Sequence, residues 1–310
     1  MRLLVTGASG FVGSHALPAL AAAFPDAMLI GCGEAAGMER LDIADLAAVR
    51  ALVARTRPAG IVHLAAIAAP AAARAAPARA WAVNHAGTVA LAHALAATVP
   101  GAAFVFASSS EVYGRSFRDA PLDEAAPLAP ISPYAATKAA ADLALAAIPD
   151  IAAVRLRPFN HTGPGQSADF VVPAFARQIA RIEAGLQPRV MRVGRLDTLR
   201  DFLDVRDVVR AYVLALRHAL AGSAGAFNIA SGTSRAIGDI LAAMLTLTGV
   251  ATRVESNAAG RDPEVMTPRG DASRARAVLG WHPVIAWEAT LADVLADWRE
   301  RVRRESKQQY

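Results

Sequence analysis

Lysine is almost missing from this chain: Lys138 and Lys307 stand against thirty arginines, and the one kept at position 138 stands out. Cysteine is scarcer still. The lone Cys32 rules out an internal disulfide and fits a reducing compartment, so a cytoplasmic protein is expected. Long apolar runs are absent: no stretch of about 18 strongly apolar residues free of charge or proline occurs, which argues against a membrane span. The hydrophobic fraction of 54% is largely alanine and overstates the apolar character. A strand-like run at Arg2–Thr6 leaves no room ahead of it for a secretory signal. The net charge of +5 and pI of about 10.0 raise the question of nucleic acid, but the basic residues are scattered. Only Arg299, Arg301, Arg303 and Arg304 cluster, and they read as the solvated face of a final helix. No nucleic-acid partner, no membrane and no metal site is expected. A modest positive surplus suits a small anionic ligand instead.

What is present is an alternation. At 310 residues the chain is long enough for one full α/β core with a smaller appendage. Leu3–Thr6, Ala27–Gly31, Gly60–Leu64, Ala103–Ala107 and Ala152–Leu156 read as strands. Helical stretches separate them at Gly13–Ala23, Ile43–Thr56 (with Asp42 or Asp45 as N-cap), Trp81–Ala97 and Pro133–Ile148. Pro133 suits a first helical turn. Strands separated by helical crossovers predict a doubly wound parallel sheet of the Rossmann α/β class. After Arg157 the rhythm changes to a Gly/Pro-rich loop at Phe159–Gln166, a helix over Val171–Ala184, a β-like run at Arg189–Gly194 and a helix over Asp204–Leu220. Residues 235–310 read as helix, strand, loop and a terminal helix ending near Arg304. The expected division is a sheet domain over 1–158, with late elements near 202–232, and a smaller interleaved domain over 159–201 and 233–310. The alanine-rich segment Ala65–Ala80 reads either as composition bias or as a mobile loop.

Two short motifs carry chemistry. Thr6-Gly7-Ala8-Ser9-Gly10-Phe11-Val12-Gly13 lies between the first strand and the first helix. Gly7 permits a tight turn, Gly10 lets backbone approach a pyrophosphate, and Gly13 allows close helix–sheet packing. The helix N-terminus behind it offers unpaired N–H groups to an anion. Ser9, Phe11 and Val12 complete the expected dinucleotide-binding turn. The cofactor's 2′ position stays open: Glu34 suits a ribose hydroxyl and NAD, whereas Arg40 suits a 2′-phosphate and NADP. The second motif is Tyr134-Ala135-Ala136-Thr137-Lys138. Residues i and i+4 share a helix face, so the ammonium can sit beside the phenol and tune it as a proton donor or acceptor. Tyrosine and lysine are both rare here, which makes the spacing informative.

The GxxGxxG spacing and the pieces that follow it in order resemble the extended short-chain dehydrogenase/reductases of the NAD-dependent epimerase/dehydratase family. That resemblance implies a nicotinamide cofactor, NAD(P)H, and a nucleotide-sugar substrate. Asp42 and Ile43 then fall beside the adenine, the backbone of Leu64, Ala65 and Ala66 passes the cofactor, and Asn84 matches the family's central-helix Asn. In Ser108-Ser109-Ser110-Glu111-Val112-Tyr113-Gly114, Ser109 takes the place of the Ser or Thr that polarises a sugar carbonyl together with the Tyr134 phenol. Glu111 matches the base of nucleotide-sugar dehydratases.

The stretch Arg157–Gln166, continuing to Phe170-Val171-Val172-Pro173, looks like the GDP-4-keto-6-deoxy-D-mannose reductase branch of that family. So do Arg200–Asp207, Arg261-x-x-Glu264-Val265 and Leu279-Gly280-Trp281. The resemblance spans essentially the whole chain. It implies that Asn160, Arg200 and Arg261 hold a diphosphate, that Val171 lines the nucleobase pocket and that His161 approaches the cofactor, with Glu264 in the substrate set. Arginine suits a diphosphate through its bidentate fork. Gln166 stands where the dehydratases carry a cofactor-contacting Arg, and Asp262 replaces the usual Pro after Arg261. The expected activity is reduction of the C4 keto group of a GDP-linked 4-keto-6-deoxy sugar; dehydratase and 4-epimerase are the alternatives. Relatives pair through the helices corresponding to Trp81–Ala97 and Pro133–Ile148, which implies a homodimer.

Overall fold

Every strand of the main sheet alternates its side chains between two helical layers, and that alternation sets the architecture. The computed structural model describes residues 1–117, 120–257 and 268–308. In chain order the first half comprises β1 (Arg2–Thr6), α1 (Phe11–Ala23), β2 (Met28–Cys32), α2 (Leu46–Thr56), β3 (Gly60–His63), α3 (Pro70–Ala75), α4 (Pro77–Trp81), a π-helical turn (Ala82–Gly87), α5 (Thr88–Thr98), β4 (Ala102–Ala107), a 3-10 segment (Ser110–Ser116), α6 (Pro133–Ala147) and β5 (Ile151–Pro158). The second half adds β6 (Asn160–Thr162), α7 (Val171–Glu183), β7 (Val190–Val193), β8 (Leu199–Asp204), α8 (Val205–Leu220), β9 (Gly225–Ile229), β10 (Ser234–Ala236), α9 (Ile237–Thr248), β11 (Arg253–Ser256) and α10 (Trp287–Gln308).

Six parallel strands form the central sheet in the order β2-β1-β3-β4-β5-β9. This is the expected Rossmann arrangement. Leu3 and Val5 of β1 face α1 and α8 in one apolar layer, where Ala16, Leu20, Val208, Tyr212 and Leu216 meet them. Leu4, between them, faces the opposite layer with Ile61, Phe104, Phe106, Val49, Leu91 and Leu145. Each such Leu or Phe contributes about 1.5–3 kcal/mol by leaving water. The chain reverses its direction of travel between β1 and β3, and the crevice at the carboxyl ends of those strands is where a ligand fits such a sheet.

A third apolar core gathers Phe175, Ile179, Met191, Phe202, Leu241, Leu291 and Trp298 from α7, β7, β8, α9 and α10. Within this region β8 pairs with β6 and β10, and β7 pairs with β11. Among the described residues no helix is long and apolar enough to cross a membrane.

Two local expectations change. The alanine-rich run after His63 is mostly ordered helix: Pro70 and Pro77 each open a short helix at its first turn, where a missing N–H costs nothing. The helix expected over Trp81–Ala97 is helical throughout, but it starts earlier, at Pro77, and passes through a π turn between α4 and α5. Of the two candidate caps for α2, Asp45 does the work, accepting from the N–H groups of Ala47 and Ala48.

Candidate active site

The crevice is a cleft of about 620 Å³ walled by the phosphate loop, the ends of β1 to β4 and the Tyr134 turn. Gly7 has φ +68°, and a Cβ there would lie 2.7 Å from the Ala65 nitrogen. A Cβ on Gly13 would stand 2.2 Å from the Gly7 carbonyl oxygen, so only glycine lets α1 start this close to the loop. Gly10 caps α1 without a side-chain acceptor, which leaves first-turn N–H groups facing the cleft. Ser9 Oγ accepts from the Glu34 N–H at 3.0 Å, tying the loop to the end of β2. Phe11, Val12, Leu64, Ala65 and Ala66 line the same cleft. These features fit a dinucleotide pyrophosphate: a glycine cradle that any Cβ would fill, under a helix N-terminus.

Tyr134 and Lys138 occupy the first turns of α6, which Ser132 caps by accepting from the Ala135 N–H. Burial and the neighbouring Glu111 carboxylate push the pKa of the Tyr134 phenol up, with Ser109 opposing the shift. Ser109 Oγ accepts from the Glu111 N–H at 3.1 Å, which orients the hydroxyl. Burial brings Lys138 down to about 7. Its Nζ donates to the Ala107 carbonyl at 2.8 Å and lies 4.8 Å above the Phe106 ring. Burial raises the Glu111 carboxyl, against the pull of Arg200 and Arg74 and a hydrogen bond from Ser132.

The side chains of His63 and Lys138 are both held away from their charged forms, and this has a pH signature. Burial brings His63 from 6.5 to about 3 and Lys138 from 10.5 to about 7. The unfolded chain therefore binds more protons across both windows. Stability falls as pH drops from about 6.5 toward 3 and rises as pH climbs from about 7 to 10.5. Thermal denaturation should show the Lys138→Met variant more stable than the parent at pH 7, with the difference closing near pH 10. A variant no more stable at pH 7 would show that the ammonium carries no burial penalty.

A second cavity of about 230 Å³ adjoins the cleft and shares Asn160, His161, Gln166 and Phe170 with it. Val171 and Arg200 line this cavity, so Asn160, Val171 and Arg200, distant in sequence, come together. Burial lowers the Arg200 pKa and Glu111 opposes the shift. His161 stacks on Phe11 with an interplanar angle of 9°, and its Nδ1 lies 3.0 Å from the Phe159 carbonyl. Gln166 accepts from Thr162 Oγ1 and donates to the His161 carbonyl, fixing the loop between the two cavities.

Some expected site residues lie elsewhere. Asn84 is fully buried and does not line the cleft. Its amide accepts from the Ile67 N–H and donates to the Ile67 carbonyl and Thr137 Oγ1, so it reaches a cofactor only through the elements it holds. Asp42 lies at the outer rim, where the Ala44 N–H and Arg79 hold its carboxyl below the usual range. Ile43 lines the cleft beside it. Arg261 and Glu264, with Asp262, fall outside the described residues. Among the described residues no cluster of three His, Cys, Asp or Glu could hold a metal.

Beneath the site lies a network that sequence reading passed over. Asp142, with no exposed surface, accepts from Ser108, Arg155 and Arg157. Arg157 also donates to the Tyr113 hydroxyl, which donates to Asn228. Burial works against the Arg157 charge, but the Asp142 hydrogen bonds outweigh it and raise the pKa. The network fastens the loop carrying Ser109 to α6, β5 and β9.

Residues 3–230 match the NAD dependent epimerase/dehydratase family. The chain belongs to that family. It is 36% identical to the GDP-6-deoxy-D-mannose reductase of Pseudomonas aeruginosa over 309 residues, covering 98% of this chain and 99% of the relative. The structure of RMD from Pseudomonas aeruginosa complexed with NADPH superposes with a TM-score of 0.86 at 34% identity, covering 97% of this chain and 99% of that one. The Thermus thermophilus UDP-glucose 4-epimerase complex with NAD gives a TM-score of 0.82 at 27% identity, covering 96% and 99%. The cofactor of this family member is a nicotinamide dinucleotide.

Proposed function

We propose that this family member reduces the C4 keto group of GDP-4-keto-6-deoxy-D-mannose, giving GDP-D-rhamnose or its C4 epimer. The observation that carries the reading is that Ser109 and Tyr134 line one cleft, which opens, through Asn160 and His161, into a cavity lined by Arg200. The dinucleotide, held by the 7–13 loop, Leu64–Ala66 and Lys138, supplies a hydride when bound. Ser109 and Tyr134 polarise the C4 oxygen, and the Tyr134 phenol delivers the proton it needs. Lys138, one helical turn beyond Tyr134 on α6, holds the ribose in this reading. Arg200 and Asn160 fix the diphosphate, with Arg261 and Glu264 contributing from the neighbouring segment, and Val171 bounds the base. Residues 1–158 with 202–232 form the cofactor unit in this reading, and 159–201 with 233–310 the sugar-nucleotide unit. Two copies pair as a homodimer through α5 and α6, beside which Trp81 and Leu143 are exposed at 42% and 59%. A cytoplasmic setting supplies both NAD(P)H and the sugar nucleotide.

The test is consumption of NADPH or NADH by purified protein given the keto sugar nucleotide. A second reading, GDP-mannose 4,6-dehydratase or a nucleotide-sugar 4-epimerase, draws on the raised Glu111 carboxyl in the cleft. Gln166, in place of the dehydratases' arginine, weighs against it. Conversion of GDP-mannose to a 4-keto product without added cofactor, and no consumption of NAD(P)H, would replace the reductase with the dehydratase.

For the 2′ end we read Arg40 as the deciding group and NADPH as the cofactor, against Glu34, which lines the cleft as well. Cys32 ends β2, where an NAD-binding Rossmann turn places its carboxylate. Glu39 is taken up by Arg55 and Asp42 by Arg79, whereas Arg40 has no hydrogen-bond or ion-pair partner among the described residues. Arg40 and Glu34 line one cavity beside the cleft. Arg40→Ala should raise KM for NADPH about tenfold, the value of a charge-assisted contact, and leave KM for NADH unchanged. Equal effects on both cofactors would remove the 2′-phosphate from Arg40.

A further inference from the structure

We propose that His63 is a positioning residue: one imidazole, its proton fixed on Nε2, ties the cofactor-facing loops to the helix that carries Tyr134. The inference rests on the cofactor cleft described above, and only its turnover arm rests on the proposed reduction.

The hydrogen atoms can be assigned one by one. Thr88 Oγ1 donates its single proton to the Asn84 carbonyl at 2.9 Å. It can then only accept from His63 Nε2, 2.8 Å away, so Nε2 carries hydrogen. His63 has 1% exposure and no carboxylate partner, so it holds one proton and its Nδ1 is bare. Nδ1 lies 2.6 Å from Thr6 Oγ1, which must donate to it. Thr6 Oγ1 in turn accepts from the Ala65 N–H. The path therefore runs in one direction, from Ala65 through Thr6, His63 and Thr88 to the Asn84 backbone.

Both ends of the path reach the site. Thr6 and Ala65 line the cofactor cleft, and Thr6 leads directly into Gly7. At the other end the Asn84 amide holds Thr137, whose hydroxyl donates to the Tyr134 carbonyl. His63 stands at the end of β3 and serves both branches: its Nδ1 side secures the phosphate loop and its Nε2 side secures the π turn and α6. Asn84 adds a second tie, from Ile67 beside the cofactor-facing loop to Thr137, but it does not reach Thr6 or the phosphate loop.

Three substitutions separate the branches. His63→Leu fills the space and serves neither partner, leaving two buried hydroxyls unmet; NADPH binding, read by fluorescence titration, and kcat should each fall about tenfold. His63→Asn keeps an acceptor where Nδ1 stood and should restore NADPH affinity while kcat stays low. His63→Gln reaches the Nε2 position with an N–H donor and should restore kcat while NADPH affinity stays low. This crossed rescue is not expected of a residue that merely fills the core. If the three variants lose both properties by the same factor, or His63→Leu loses neither, the positioning role is wrong. Should His63→Leu not fold, the contrast between Asn and Gln decides alone. If the parent protein leaves the keto sugar untouched, the proposed reduction fails, but the binding order Asn near His, with Gln and Leu weaker, still tests the path.

Discussion

Replacing Tyr134 with Phe should cut turnover of the keto sugar nucleotide by about 10³-fold, within the range that a positioned acid contributes, while cofactor binding stays intact. The ring stays and only the hydroxyl leaves, so the packing of α6 against the cleft is preserved. What is lost is the proton for the C4 oxygen and one of the two groups that polarise it. Ser109→Ala removes the other and should cost about 10²-fold or more. Because the two hydroxyls act on one oxygen, the double variant should lose far less than the product of the single losses. Steady-state kinetics with both cofactors checks each figure. A Tyr134→Phe variant retaining a tenth of the activity would move the acid elsewhere, with Glu111 the next group in line because burial keeps its carboxyl raised.

The second large effect is one of stability. Asp142→Ala would leave the guanidinium groups of Arg155 and Arg157 facing a buried space without their carboxylate. Breaking a buried pair from one side costs about 3–5 kcal/mol, a large share of a domain's total stability. Urea unfolding should show that loss, and Asp142→Asn, which keeps one acceptor oxygen, should show less. Activity should fall in both variants, because Ser108 bonds Asp142 at 2.6 Å and Ser109 follows it in the chain. A variant within about 1 kcal/mol of the parent would mean the arginines find other acceptors, an outcome known when buried groups can relax.

These two sites differ in how far the sequence reveals them. The phosphate loop and Tyr134–Lys138 are local: their geometry follows from a turn and from helical spacing, so residue order is enough. The Asp142 network is not local. Arg157 lies 15 residues from Asp142 and 44 from Tyr113, while Tyr113 lies 115 from Asn228, and nothing in the order of residues announces those partners. Asn84 shows the opposite error. A polar residue near the middle of a helix suits a ligand and a buried clamp equally well, and only the positions of Ile67 and Thr137 decide between them. The alanine-rich segment misled for a different reason. Alanine carries no pattern of apolar and polar faces, so periodicity was silent, although Pro70 and Pro77 marked both helix starts.

The shortage of lysine has a practical side. Two side-chain amines serve the entire protein; Lys307 lies exposed near the end of α10, while Lys138 is buried at 2% exposure between α6 and the end of β4. With a pKa near 7 much of the Lys138 amine is unprotonated, hence nucleophilic, at neutral pH. An acylating reagent would reach Lys307 at once, and Lys138 only when the core around it opens. Peptide mapping of those two positions turns the protein into its own gauge of how often that core opens, without any engineered label.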